Sequence, residues 1–188
     1  MALLITVVLL LALILIAAVF IVTYNNLVVL RNRVRNAWAQ IDVQLKRRHD
    51  LIPNLVEVAK RYMAHEKDTL ESVIKARTQA INVSADDVKA KAQAENFLSQ
   101  TLRSLFAVSE NYPELKADRQ MAQLNEELVS TENRIAFARQ FYNDEATLFN
   151  TRLQQFPTNV IGDMLSFRPF DLFEADEESK EAVKVDFS

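Results

Sequence analysis

No charged side chain precedes Arg31, and from Ala2 to Val22 every residue except Thr6 is apolar. At 1.5 Å per residue a helix of that length covers roughly 31 Å, the hydrocarbon thickness of a bilayer. The stretch therefore predicts one membrane-crossing helix over residues 1–23. A cleaved signal peptide is the competing reading. It fits less well, because the run lacks a basic leader, is long for a signal core and is followed by no small-x-small site. Arg31, Arg33 and Arg35 follow the span with no acidic residue before Asp42. By the bias of basic residues towards the cytoplasm, the remainder of the chain is expected there, with the amino terminus outside. Tyr24 stands at the end of the span, placed either as an interfacial ring or as the first core residue of the next helix.

The rest of the chain has little to turn with. It holds one glycine, Gly162, and four prolines, so tight turns, hairpins and phosphate-cradling loops lack their usual material. Cysteine is absent, which excludes disulfides, thiolate metal sites and cysteine nucleophiles. The net charge of −3 does not suit a nucleic-acid binder. Apolar residues recur at alternating steps of three and four: Leu27, Leu30, Val34, Ala37 and Ile41, then Ile52, Leu55, Ala59 and Tyr62, then Leu70 and Val73. That is a seam of coiled-coil type, and it predicts a first helix over about 24–80, kinked near Pro53. Ser84 with Asp87 resembles a capping box opening a second helix over 85–111. Pro113 suits the first turn of a third, over 113–155, whose seam runs Met121, Leu124, Leu128, Thr131, Ile135, Ala138, Tyr142, Glu145 and Phe149.

These readings give an all-α fold: an N-terminal transmembrane helix running into a long-helix antiparallel bundle over 24–156. A short aromatic-rich segment follows over 157–173, expected to fold back as a lid because so many apolar side chains need cover, and residues 174–188 form an acidic tail.

Signs of chemistry are few. His49 and His65 on one helix would lie roughly 24 Å apart and on nearly opposite sides, so they share no metal, and both read as solvated. No nucleophile elbow or glycine-rich loop is present. No catalytic, cofactor or metal residues are expected, and no enzyme. Candidate interaction residues are Trp38, read as bundle core in preference to a partner contact, the basic run Lys46, Arg47 and Arg48, and Phe167, Phe170 and Phe173. If the helix stands upright, the basic run lies roughly 36 Å past the span, too far to meet lipid charges. Arg31, Arg33 and Arg35 are nearer and suit both topology and anionic headgroups.

The segment Tyr24–Tyr62, with HEKDTLESVIKAR (65–77), SLFAVSENYPELKA (104–117), ELVSTENRIAFARQFYN (127–143) and FPTNVI (156–161), resembles the LemA family of bacterial membrane proteins over nearly the whole chain after the anchor. Arg61 and Ser166 stand where the family pattern leads one to expect glycine. The resemblance implies an anchor, a cytoplasmic helical bundle and no established enzymatic activity. A relative with a similar domain takes part in building magnetosome membranes, which implies a membrane-organising role. The expected function is a non-enzymatic scaffold of the bacterial inner membrane that contacts lipids, forms homo-oligomers and needs no cofactor. The alternative is an adaptor that presents a bundle face or the C-terminal segment to another membrane protein, such as a protease or signalling partner.

Overall fold

A computed structural model describes residues 1–174; the acidic tail beyond them lies outside the described residues. Every regular element described is helical: α1 Ala2–Tyr62, α2 Lys67–Asn82, α3 Val88–Ser109, α4 Pro113–Lys116, α5 Arg119–Gln154 and α6 Thr158–Met164. α1 is unbroken over 61 residues and continues through Pro53. Among the described residues it is the one helix long and apolar enough to cross a membrane. Its first part exposes its apolar side chains, Leu3 at 80% and Ile16 at 66%. Neither glycine nor proline interrupts it between Val22 and Leu30.

The described residues divide into two compact units, Met1–Ala39 with Phe141–Phe170, and Gln40–Gln140 with residues 171–174. In the second unit, contacts between facing residues set the helix directions. Arg77 Nε on α2 donates to the His49 carbonyl at 2.7 Å, so α2 folds back along α1. The Tyr112 hydroxyl at the end of α3 donates to Glu66 at 2.9 Å, so α3 runs with α1. Tyr62 at the end of α1 donates to Asp118 Oδ2, just before α5, at 2.9 Å, so α5 returns. The result is an up-down-up-down bundle. Ile52, Leu55 and Ala59 of α1, Val73 and Ala76 of α2, Leu98 and Leu105 of α3, and Leu128 of α5 share its dry core. The seams read along α1 and α5 face inward: Leu27, Val34, Ala37 and Ile41 are buried, as are Met121, Leu128, Thr131, Ile135, Tyr142 and Phe149.

Three boundaries differ from expectation. The helix expected over 24–80 is two helices, separated at Met63–Glu66. Where the seam's next step after Tyr62 falls, the residue is Glu66. Its amide donates to the Met63 carbonyl at 3.0 Å, its carboxylate is held by Tyr112, and Met63 is fully buried. A chain with a polar residue in the seam gains more by folding back and burying both seams than by continuing straight. The second helix starts at Val88 because Asp87, not Ser84, is its cap: Asp87 Oδ1 accepts from the Ala90 amide at 3.0 Å. The third is divided. Pro113 opens only the four-residue α4, and Asp118 then caps α5 by accepting from the Gln120 and Met121 amides at 2.7 and 3.0 Å. Those amide bonds and the Tyr62 hydroxyl hold the Asp118 carboxyl below its ordinary value.

In the first unit α6 closes on the end of α5, and Gly162 lies close against it: a Cβ there would lie 2.5 Å from Leu153 Cδ1, so that side chain would have to shift. α6 ends in a Schellman motif, with the Phe167 amide on the Gly162 carbonyl at 2.9 Å and Ser166 on Asp163 at 3.2 Å. The C′ residue of that motif is Ser166, at φ 55°, a left-handed conformation that costs an L-residue about 1–2 kcal/mol. One of the two departures from the expected glycines therefore falls on a position with a physical need for glycine. Arg61, the other, sits in the last turn of α1, where a basic side chain complements the helix dipole. Ser166→Gly is expected to stabilise the protein by about 0.5–1 kcal/mol, net of the extra freedom glycine brings to the unfolded chain. Thermal unfolding followed by circular dichroism checks it, and an unchanged or lower midpoint would contradict it.

Candidate functional site

The main polar constellation lies inside the second unit. Continuing the α1 seam from Ile41 by steps of four and three leads to Leu45, Arg48, Ile52 and Leu55, and the α3 seam passes through Ala92, Glu95 and Leu98. Both interruptions are charged, of opposite sign, and buried to 1% and 2% exposure. Two turns of helix thus carry Arg48 and Glu95 into the core, where each answers the other. The Arg48 guanidinium binds Glu95 Oε2 in a short charge-assisted hydrogen bond. Its other terminal nitrogen donates to Glu132 Oε2 at 2.6 Å and to Ser99 Oγ at 2.8 Å, and Ser99 donates on to Glu132 Oε1 at 3.2 Å.

His49 and Lys91 complete the cluster. His49 Nε2 lies 3.0 Å from Glu95 Oε1 and 3.3 Å from Oε2. Lys91 Nζ lies 3.9 Å from Oε1 and donates to the Ala80 carbonyl at 2.9 Å. Glu95 Oε1, close to both, has no well-aligned hydrogen bond, and Arg48 Nε is buried without a partner. Burial pushes the Glu95 carboxyl up, but the His49 hydrogen bond and the Arg48 charge outweigh it and hold the group below its ordinary value.

This geometry ties α1, α3 and α5 to one register. Ser99, which accepts from Arg48 and donates to Glu132, is held within the same network. Among the described residues no three or more His, Asp or Glu side chains stand together as a metal site.

Two expectations are corrected here. Arg48 was expected on a basic interaction surface; it is buried at 1%, because it occupies a seam position and finds Glu95 opposite. His49 was expected on a solvated face and is buried at 7% against the same carboxylate. Lys46 and Arg47 do lie at the surface, where Lys46 pairs with Asp50 at 2.8 Å and Arg47 with Glu127 at 3.9 Å. His65 is exposed.

The other predicted residues gather mostly in the first unit. Tyr24 meets Phe167 edge-on at 6.4 Å between ring centres, and the Arg31 guanidinium lies 5.1 Å over the same ring. Phe149 contacts Phe167 and Phe170, at 6.3 and 5.2 Å. Asn150 clamps the Phe170 backbone, accepting from its amide at 2.9 Å and donating to its carbonyl at 2.8 Å. Trp38 is half-buried against Tyr142 at 5.3 Å. Arg33 and Arg35 are exposed. In the second unit Phe173 is buried at 1%, with Arg139 5.9 Å from its ring centre. Phe167 and Phe173, expected as interaction residues, are thus core instead, because the segment after α6 folds back as a cover. The exposed large apolar residues are others: Val160 and Met164 on α6, and Leu165 and Leu172 after it.

Sequence comparison bears on this arrangement. A model of the LemA family matches residues 37–187. The chain is 29% identical over 167 residues to Protein LemA of Metamycoplasma hominis, covering 87% of this chain and 74% of that one. It is 23% identical over 181 residues to Magnetosome protein MamQ 2 of Paramagnetospirillum magneticum, covering 84% of this chain, and spans 66% of that protein's length; MamQ 1 of the same organism gives the same figures. None of these names is that of an enzyme. The family match, with an apolar N-terminal helix leading into an all-helical bundle, identifies the chain as a membrane-associated member of the LemA family.

Proposed function

We propose that the chain is a non-enzymatic scaffold, anchored in the bacterial inner membrane by one pass of α1 with its domain in the cytoplasm, whose copies associate side by side and organise a patch of membrane. The observation that carries the association is an apolar face left open on α5. Val129, Phe137, Phe141 and Leu148 recur at near-helical spacing and are 53%, 74%, 43% and 41% exposed. Isolated exposed hydrophobes are ordinary, but aromatics aligned along a helix favour a partner surface. An anchor confines such faces to one plane, which raises their effective concentration. The names of the magnetosome relatives agree with a role at a membrane.

The chain has no cysteine of its own, so an introduced one reports alone. Phe137→Cys in native membranes is expected to give a disulfide-linked homodimer under mild oxidation, whereas Gln79→Cys, on an exposed position of α2, gives none. A linked product containing a different protein would support the adaptor reading instead. The orientation rests on Arg31, Arg33 and Arg35. Ser84→Cys should react with an impermeant thiol reagent only after cells are permeabilised. Labelling of intact cells would place the domain outside.

A further inference from the structure

Within the first unit, a cavity of about 380 Å³ opens beside α1 just past its apolar segment. Its polar lining is Thr23, Asn26 and Arg33 from α1, Arg152 from α5 and Thr158 from α6, and among the described residues no acidic side chain lines it. Leu27, Leu30 and Leu148 supply the apolar remainder. Arg33 makes no ion pair among the described residues, and the one hydrogen bond of the Arg152 side chain goes to the neutral Gln155 amide oxygen at 3.0 Å. Two guanidinium groups therefore face one concavity with no anion among the described residues to neutralise them.

The position of the cavity narrows what neutralises them. Thr23 directly follows Val22, the last residue of the apolar run. The Trp38 contact with Tyr142 sets an antiparallel register that brings Arg152 level with about residue 28, roughly 9 Å beyond Val22 along the axis. Arg33 lies further out, but side chains lean towards a helix N-terminus, which for α1 is the bilayer side. The two arginines thus approach a common level from opposite directions, and their long stems let the charges reach towards headgroups. Guanidinium groups match phosphate oxygens in planar, bidentate geometry. The leucines beside them suit the glycerol and first methylenes of an acyl chain.

We infer that this cavity is a binding site for the headgroup of an anionic phospholipid, whose phosphodiester is held by Arg33 and Arg152 with Thr23, Asn26 and Thr158 as hydrogen-bonding neighbours. The inference rests on α1 being a membrane span. It goes beyond general attraction of basic residues to a membrane, because it separates Arg33 from Arg35, which is exposed and does not line the cavity.

The test is native mass spectrometry of the full chain in mild detergent, titrated with phosphatidylglycerol or phosphatidylcholine. One phosphatidylglycerol is expected to be retained at least tenfold more tightly than phosphatidylcholine. The pair Arg33→Gln with Arg152→Gln should abolish that preference, with helicity unchanged by circular dichroism. Arg35→Gln, which removes one charge outside the cavity, should keep it. Equal retention of the two lipids by the unaltered protein, or a loss with Arg35→Gln as large as with the pair, overturns the site. Displacement of phosphatidylglycerol by millimolar inorganic phosphate would also overturn it, since the cavity would then be a site for free anions. Failure of the anchor itself would show separately, as release of the protein from membranes by alkaline carbonate.

Discussion

Replacing Arg48 with methionine is expected to destabilise the bundle by about 3–5 kcal/mol, as urea unfolding followed by circular dichroism in mild detergent would measure it. Methionine keeps most of the aliphatic volume and removes the charge. Glu95, 2% exposed, is then left facing His49 and Lys91 without its strongest partner, and Glu132 and Ser99 lose the donor they share. The cost arises from the stranded carboxylate rather than from the lost bond alone. Adding Glu95→Leu to Arg48→Met should therefore recover the larger part of the stability, because a buried ion pair exchanged for apolar residues of similar volume is often neutral or better. Glu132→Gln should cost about 1 kcal/mol or less, since that side chain is half exposed and screened by water. If Arg48→Met cost no more than Glu132→Gln, the cluster would not be the dry lock described.

The same cluster sets a pH dependence whose sign is fixed. The native Glu95 carboxyl lies below its ordinary value of 4.5, so its contribution is complete above that pH and is lost as pH falls through the lower native value. Acid unfolding of the unaltered protein should show this loss, and the doubly apolar variant should lack it.

The cluster also shows how far sequence reasoning reaches. Periodicity located the buried faces of α1, α2 and α5, because a 3.6-residue repeat leaves little choice about which side chains meet. Extending the seam through Leu45 to Arg48, and reading Glu95 as a seam residue of α3, would have found the pair: two opposite charges at core positions are legible as partners. Reading Arg48 with its neighbours Lys46 and Arg47 as one basic run hid this, since adjacent residues on a helix face different directions. The turn at Met63–Glu66 left only a weak trace, a single polar residue in the seam, with neither glycine nor proline to mark it. The cavity of Arg33 and Arg152 joins residues far apart in sequence, so no local pattern displays it. Ser166 is the converse case, a residue that only its backbone conformation shows to be out of place.

The second large effect concerns assembly. Phe137→Asp with Phe141→Asp places two charges on the open face of α5 at positions 74% and 43% exposed in the folded chain. Folding should be little affected, as surface substitutions away from buried partners usually change stability by about 0.5 kcal/mol or less. Association should fail, because two chains meeting through this face would have to bury unpaired carboxylates. In the function proposed above, this face, together with an α1 that ties each copy to the membrane, turns an anchored bundle into a scaffold.

The particle mass of the full chain in mild detergent, measured by multi-angle light scattering, tests that claim most directly. The expected result is one defined particle several times the mass of the 21.5 kDa chain, reduced to a single chain by the two aspartates. A monomer from the outset, or one that co-purifies in fixed proportion with a single different protein, would contradict it.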